Sequence, residues 1–355
     1  MYLCDFVLLE NFCNFSCKYC SPGWKKMTLR NGDYYKADSH DTPPVKWKSV
    51  EEFYQTFRRI FQIINNHFHP HAFKISGGEI FIMPGILDFI KYMADNCIDL
   101  KILTNGSNVF DSVLQSILEY PNIHFQVSLD GHTLDMNSLR FKNESRLLSI
   151  VHLLKSLNDS MNTVEINCVL TRHNLTNFFN FADYMAELLP NCIIMPFPVR
   201  GFTEFLPTRE QVDQAKTTYL EEYRDSPVLP PEGYMSRLFD ILQTSRRRNK
   251  CYVPLFLISA YGDGSIQFCT CGSDFPSGNV FEQSCAEIYK QSENLFQEFS
   301  RGHRVFEACA DCFTHYDLLN CYIESEVTEH ELREFSVFNN DTFIRNISSF
   351  KKSER

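Results

Sequence analysis

Three cysteines fall within eight residues near the amino end, in Cys13-Asn14-Phe15-Ser16-Cys17-Lys18-Tyr19-Cys20. A C-x3-C-x2-C spacing brings three thiolates onto one small inorganic object only if the loop wraps around it. A closed structural zinc site takes four ligands, and no fourth cysteine lies nearby. A four-iron cluster held by three cysteines leaves one iron open to a further ligand. A second set lies far along the chain. Cys251 is followed by twelve residues, Gly264, four residues and Cys269, and Cys309-Ala310-Asp311-Cys312 comes forty residues later. That set suits a second metal centre, either an iron–sulfur cluster or a zinc ribbon.

Such ligands need a frame. Through residue 207 the chain alternates apolar runs with helix-forming segments. Strands are expected at Phe6–Leu9, Ala72–Ser76, Asp99–Asn105, Ile123–Leu129, Val164–Leu170 and Cys192–Pro196. They read as buried parallel strands, because most are continuously apolar rather than alternating. Ser49-Val50-Glu51-Glu52 opens a helix with Phe53, Phe57, Ile60, Ile64 and Phe68 at helical spacing. Pro84 suits the first turn of a second helix carrying Ile86, Leu87, Ile90 and Met93. Leu147–Leu157 and Phe178–Leu189 read as two more. Six strands with helical crossovers imply an α/β fold with a parallel sheet, open or curled into a partial barrel.

The cysteine motif, directly after the first strand, resembles that of the radical S-adenosylmethionine (SAM) family. Ser76-Gly77-Gly78-Glu79, Thr104-Asn105-Gly106, Ser128-Leu129-Asp130-Gly131 and Asn167 follow in order, in or at the ends of successive strands. The resemblance implies a partial (β/α)6 TIM-like barrel binding SAM and a [4Fe-4S] cluster on Cys13, Cys17 and Cys20. It places Tyr19, Gly77, Gly78, Glu79, Asn105, Ser128 and Asn167 at the cofactor, with Gly77-Gly78-Glu79 at the SAM amino group and Asp130 facing substrate. Reductive cleavage of SAM would yield a 5′-deoxyadenosyl radical that abstracts a substrate hydrogen, with a flavodoxin- or ferredoxin-type protein as electron donor. Taken singly, Gly77-Gly78, Asn105 and Asp130 also read as ordinary turn residues.

The spacing C-x12-G-x4-C with a later C-x2-C resembles the twitch form of the SPASM domain. This implies a small C-terminal domain in which Cys251, Cys269, Cys309 and Cys312 hold one auxiliary [4Fe-4S] cluster; a zinc ribbon is the competing reading. Around these cysteines a hairpin is expected, from Leu255–Tyr261 across Asp263-Gly264 to Ser265–Phe268. Cys271 is a candidate alternative ligand or catalytic thiol hydrogen donor, and Cys285 and Cys321 stay unassigned. Cys4, Cys97 and Cys192 read as buried apolar groups, with Cys168 turned away from the lumen. The expected organisation is a barrel over 1–207, a helical linker over 208–250, the auxiliary domain over 251–325 and a polar tail over 326–355.

Composition bounds the rest. With 34 basic against 44 acidic residues the net charge is −10, which argues against nucleic acid or an anionic membrane as partner. No run approaches the roughly 20 apolar residues of a membrane helix, and no signal peptide is evident, so the cytoplasm is expected. A hydrophobic content of 44%, with 32 Phe, supplies a large core. The stretch between Cys20 and the first long helix carries Trp24, Trp47, Tyr34 and Tyr35 and reads as a substrate lid or as a surface loop. His67, His69 and His71 read as solvated loop histidines, and Arg246–Arg248 as a helix-end basic cluster. The substrate expected first is a small polar metabolite of sugar, cyclitol or aminoglycoside type, oxidised or epimerised. No leader-binding segment is evident before Phe6, which favours that reading over a peptide-modifying maturase. A non-catalytic metal scaffold is the remote third.

Overall fold

The computed structural model describes residues 2–8, 12–20, 49–158, 163–269, 277–303 and 306–353. The lid-or-loop segment with Trp24, Trp47, Tyr34 and Tyr35 therefore lies outside the described residues, as does Cys271. The six expected strands form β1 (Leu3–Val7), β2 (Ala72–Ser76), β3 (Asp99–Thr104), β4 (Ile123–Ser128), β5 (Val164–Leu170) and β6 (Cys192–Pro198). Neighbours in this series pair in parallel. Three more strands, β7 (Leu257–Tyr261), β8 (Ser265–Gln267) and β9 (Gly278–Asn279), bring the order to β6-β5-β4-β3-β2-β1-β7-β8-β9 among the described residues.

The expected hairpin is β7–β8, turning through Gly264 at φ +83°. It does not begin a sheet of its own. β7 pairs in parallel with β1, so the sheet runs unbroken across residue 251, where a domain boundary was expected. The result is an α/β fold with one mostly parallel sheet.

One face of that sheet is apolar. Phe6, Phe73, Ile75, Leu100, Ile102, Phe125, Val127 and Ile166 are buried, at two-residue spacing within each strand. Helices α1 (Val50–Phe68) and α2 (Ile86–Asn96) cover part of it, with ring centroids 5.7 Å apart for Phe6–Phe57 and 4.8 Å for Phe61–Phe73. Each such side chain contributes roughly 1.5–3 kcal/mol by leaving water. Ser49 caps α1 by accepting the Glu52 amide, while Gly85 at φ +75° separates Pro84 from α2, so Pro84 does not enter the first turn. A helix that the sequence reading did not mark, α3 (Asp111–Leu118), buries only Leu114 and Ile117. α4 (Glu144–Asn158) and α5 (Phe178–Leu188) complete the crossovers.

The other face carries a buried charged layer. Asp5 pairs with Lys74 at 2.9 Å and Lys101 with Glu165, whose second oxygen accepts from Gln126 at 3.2 Å. Tyr316 donates to Asp5, and His315 lies 3.5 Å from Lys74, so the segment after Cys312 closes this layer.

Helices α6 (Arg209–Thr218) and α7 (Glu232–Thr244) follow β6, α6 with a reciprocal Thr208/Gln211 capping box. Then come α8 (Cys285–Gln291), α9 (Glu293–Ser300), α10 (Asp317–Ile323), α11 (Glu329–Arg333) and α12 (Asp341–Ser353). Residues 326–353 are thus not the polar tail expected. Val327, Leu332, Phe335, Val337, Phe338, Phe343, Ile344 and Ile347 are buried, an apolar stripe that the polar composition of the segment obscures. No helix among the described residues is long and apolar enough to cross a membrane.

His71 departs from the solvated-loop expectation. His67 and His69 are exposed, but His71 is buried, with Nε2 2.6 Å from the Val337 carbonyl and its ring 4.2 Å from Phe343. Burial lowers its pKa from 6.5 to about 4, against the pull of the Val337 bond. A histidine depressed in the fold gives its full stabilisation above the unfolded value and loses it as the pH falls toward the folded one, up to about 3 kcal/mol here. Urea unfolding at pH 7.5 and pH 4.5 is expected to show a larger acid loss for the natural protein than for His71→Gln. Equal losses would refute this account.

Candidate functional site

Parallel register aligns the C-terminal ends of β1 to β6, so the loops that follow them meet along one edge. The cysteine loop follows β1 and is anchored on both sides. The Glu79 amide donates to the Phe12 carbonyl at 2.7 Å, and the Lys18 amide donates to the Leu139 carbonyl at 2.8 Å. The Cys20 amide turns back to the Cys17 carbonyl at 3.1 Å. Phe15 is buried beneath the loop, 5.3 Å from Phe141 and under the Arg146 guanidinium. Cys13 and Cys17 are half-buried and Cys20 is exposed. Burial pushes the Cys13 thiol up to about 11, and the Phe15 amide, donating to Cys13 Sγ at 3.4 Å, pulls the other way.

Gly77-Gly78-Glu79 packs directly on this loop. A Cβ at Gly78 would overlap the Phe12 carbonyl, so only glycine fits against the residue preceding Cys13. Glu79 is fully buried, and both its oxygens are engaged. Oε1 accepts from Thr104 Oγ1 at 2.7 Å and the Phe81 amide at 3.1 Å, and Oε2 accepts from the Asn105 amide at 2.6 Å. Its carboxylate therefore ties the β2 loop to the end of β3. Asn105 Nδ2 donates to Asn14 Oδ1 at 2.8 Å and stands 3.9 Å from Cys13 Sγ.

Asp130, expected to face substrate, is buried. It is 1% exposed, accepts from the Tyr19 hydroxyl and from the Val169 amide at 2.9 Å, and has Arg140 Nη1 3.7 Å away. Arg140 Nη1 also donates to the Tyr19 hydroxyl at 3.1 Å. Burial raises the Asp130 carboxyl, while Arg140 and the two donors favour its charged form. Tyr19 and Asp130 thus join the cysteine loop to the β4 loop through Arg140, a residue the sequence reading missed. Its signal was weak: one arginine ten residues beyond Asp130.

Ser128 and Asn167 are register partners on β4 and β5. Asn167 Oδ1 and Arg140 Nε are both buried without a hydrogen-bond partner among the described residues. A buried acceptor and a buried cationic donor left open at the strand ends suit a polar ligand carrying a hydroxyl and a carboxylate. The residues present therefore fit SAM.

The C-terminal cysteines gather differently. Cys251, Cys269, Cys309 and Cys312 are buried. Burial pushes the Cys251 thiol up to about 11, with Arg247 pulling it down and the nearby Cys309 adding to the rise. Arg200, just past β6, donates to the Ala308 carbonyl at 2.8 Å and to Asp311 at 2.9 Å, which fastens the Cys309–Cys312 turn to the end of that strand. Cys285 and Cys321 are buried at α8 and α10, and Cys4, Cys168 and Cys192 are buried in or on the sheet. Among the described residues no three His, Cys, Asp or Glu side chains converge on a point for a single metal ion.

Gly78→Ala would overpack the contact with Phe12, at a local cost of roughly 1–3 kcal/mol. Anaerobic reconstitution is expected to load less iron on Gly78→Ala than on the natural chain. Equal loading would mean the glycine contact does not shape the cysteine loop.

Similarity to known proteins agrees with this geometry. The chain is 24% identical over 255 residues to mycofactocin maturase MftC of Mycobacterium tuberculosis, an alignment covering 69% of this chain. It spans 63% of that relative's length, less than two thirds. The structure of Streptococcus suis SuiB bound to S-adenosylmethionine superposes with a TM-score of 0.57 at 16% identity, covering 83% of this chain and 66% of SuiB. Native anSMEcpe with bound AdoMet and Cp18Cys peptide superposes at 0.56 and 15% identity, covering 98% and 100%. These likenesses speak to fold. A profile of the Radical SAM superfamily matches residues 7–204, more than half of the chain and all of the edge just described, and the protein belongs to that superfamily.

Proposed function

We propose that this radical SAM enzyme modifies a peptide. The observation that carries this reading is the company the chain keeps: a relative named as a maturase aligns over 69% of it. Folds with TM-scores of 0.57 and 0.56 belong to SuiB, solved with the precursor peptide SuiA, and to anSMEcpe with a bound peptide. The small polar metabolite expected first has less support than this alternative.

Bound together, the cluster and SAM would supply a 5′-deoxyadenosyl radical, with the electron from a flavodoxin- or ferredoxin-type donor. The chain's own residues bind and orient. Cys13, Cys17 and Cys20 are the cluster ligands. Gly77 and Gly78 offer backbone to the SAM amino group, while Glu79 and Asn105 hold that loop beside Cys13. Ser128, Arg140 and Asn167 take the carboxylate and ribose. Tyr19 and Asp130 aim Arg140. Cys251, Cys269, Cys309 and Cys312 hold an auxiliary [4Fe-4S] cluster.

Reduced, reconstituted protein is expected to form 5′-deoxyadenosine from SAM, and Cys17→Ser to form only background amounts. No nucleoside from the natural chain would reject enzymatic function. A peptide encoded beside the gene is expected to change mass in the same reaction, and its unchanged recovery alongside a modified sugar would favour the metabolite reading. Arg140→Met removes a charged donor, which is worth about 1.5–3 kcal/mol, so SAM affinity should fall about ten- to hundredfold by equilibrium binding.

A further inference from the structure

Arg247 belongs to the run Arg246-Arg247-Arg248, which helix-end electrostatics would suffice to explain. Its surroundings assign it more. The side chain is buried, and all five of its N–H donors are used. Nε donates to the Asn249 carbonyl at 3.1 Å and Nη2 to the Lys250 carbonyl at 3.0 Å. Nη1 donates to the Cys312 carbonyl at 2.9 Å. The remaining two form a fork on the Asp317 carboxylate. The Arg247 amide also donates to the Ala310 carbonyl at 2.7 Å.

Three chain segments therefore meet on one guanidinium: the stretch leading into Cys251, the Cys309–Cys312 turn and helix α10. Asp317 is held in turn by the Thr314 amide and by Asn320 Nδ2, each at 2.9 Å. Asn320 Oδ1 accepts from the Tyr252 amide at 2.8 Å, and its Nδ2 stands 4.0 Å from Cys251 Sγ. Hydrogen bonds between protein groups thus tie the stretch leading into Cys251 to the Cys309–Cys312 turn. The fixed charge of Arg247 also offsets the repulsion among thiolates brought together in a poorly solvated place.

We propose that Arg247 is the positioning residue of the C-terminal cysteine site, setting Cys251 against the Cys309–Cys312 turn so that these thiolates receive an auxiliary iron–sulfur cluster. The inference rests on the auxiliary-cluster reading above and adds the residue that assembles the site. Lysine cannot substitute for it, because a single ammonium lacks the planar fork that spans Asp317 and three carbonyls.

Iron and sulfide per chain, with EPR-monitored redox titration after anaerobic reconstitution of the full chain, test the proposal. The natural protein should hold about eight irons and Arg247→Lys about four, with the N-terminal cluster's SAM-responsive signal intact. A double variant, Arg247→Met with Asp317→Leu, replaces the buried pair by apolar groups and guards against simple unfolding. It should melt as one cooperative unit and still hold about four irons. Either variant carrying about eight irons, with the auxiliary potential unchanged, would overturn the proposal. About four irons in the natural protein would instead remove the auxiliary cluster itself, and the proposal with it.

Discussion

The hydrogen bond from the Glu79 amide to the Phe12 carbonyl is the contact on which the N-terminal site depends. It joins the loop after β1 to the loop after β2 immediately before Cys13. The absent side chain of Gly78 permits the approach, and the Glu79 carboxylate carries the constraint onward to the amide of Asn105. Three loops are thereby held in one arrangement by protein groups. Each such bond is worth only about 1 kcal/mol net, but a buried carboxylate stripped of its donors costs more than any of them. The Gly-Gly-Glu run is thus an architectural element of the cysteine loop as well as a candidate ligand surface.

Much of this was legible in sequence because buried parallel strands leave short, mostly apolar runs between helix-forming segments. Ala72–Ser76 and Val164–Leu170 fall where those runs predict, and strand parity puts Ser128 beside Asn167. Thiolate spacing announces itself for the same reason: few other arrangements use three cysteines so close together. Arg140, Arg200 and Arg247 were not legible. Each acts through a guanidinium that reaches groups distant in sequence, Tyr19 for Arg140, Ala308 and Asp311 for Arg200, Cys312 and Asp317 for Arg247, and such contacts leave no periodic trace. The surroundings of Asp130 were hidden for a related reason. Its position at a strand end suggests an exposed catalytic group, but Tyr19 and Arg140 enclose it. The buried stripe of the last two helices was hidden by the lysines, arginines and serines around it.

The C-terminal half is built onto the same sheet rather than beside it. β7 continues the parallel order from β1, Tyr316 reaches back to Asp5, and Arg200 fastens the Cys309–Cys312 turn to the end of β6. Any displacement of the second cysteine set must therefore pull on a sheet that also carries the first. Among the described residues the two sets are carried by one sheet.

The charged layer beneath the strand ends has an evolutionary corollary. Asp5 with Lys74, and Lys101 with Glu165, are each shielded from water, so replacing one member strands its mate as an uncompensated ion, a loss of about 3–5 kcal/mol. Swapping both for matched apolar groups is far milder. Across diverging descendants of this chain, those four sites should drift as linked couples, each pair keeping its salt bridge or surrendering it together.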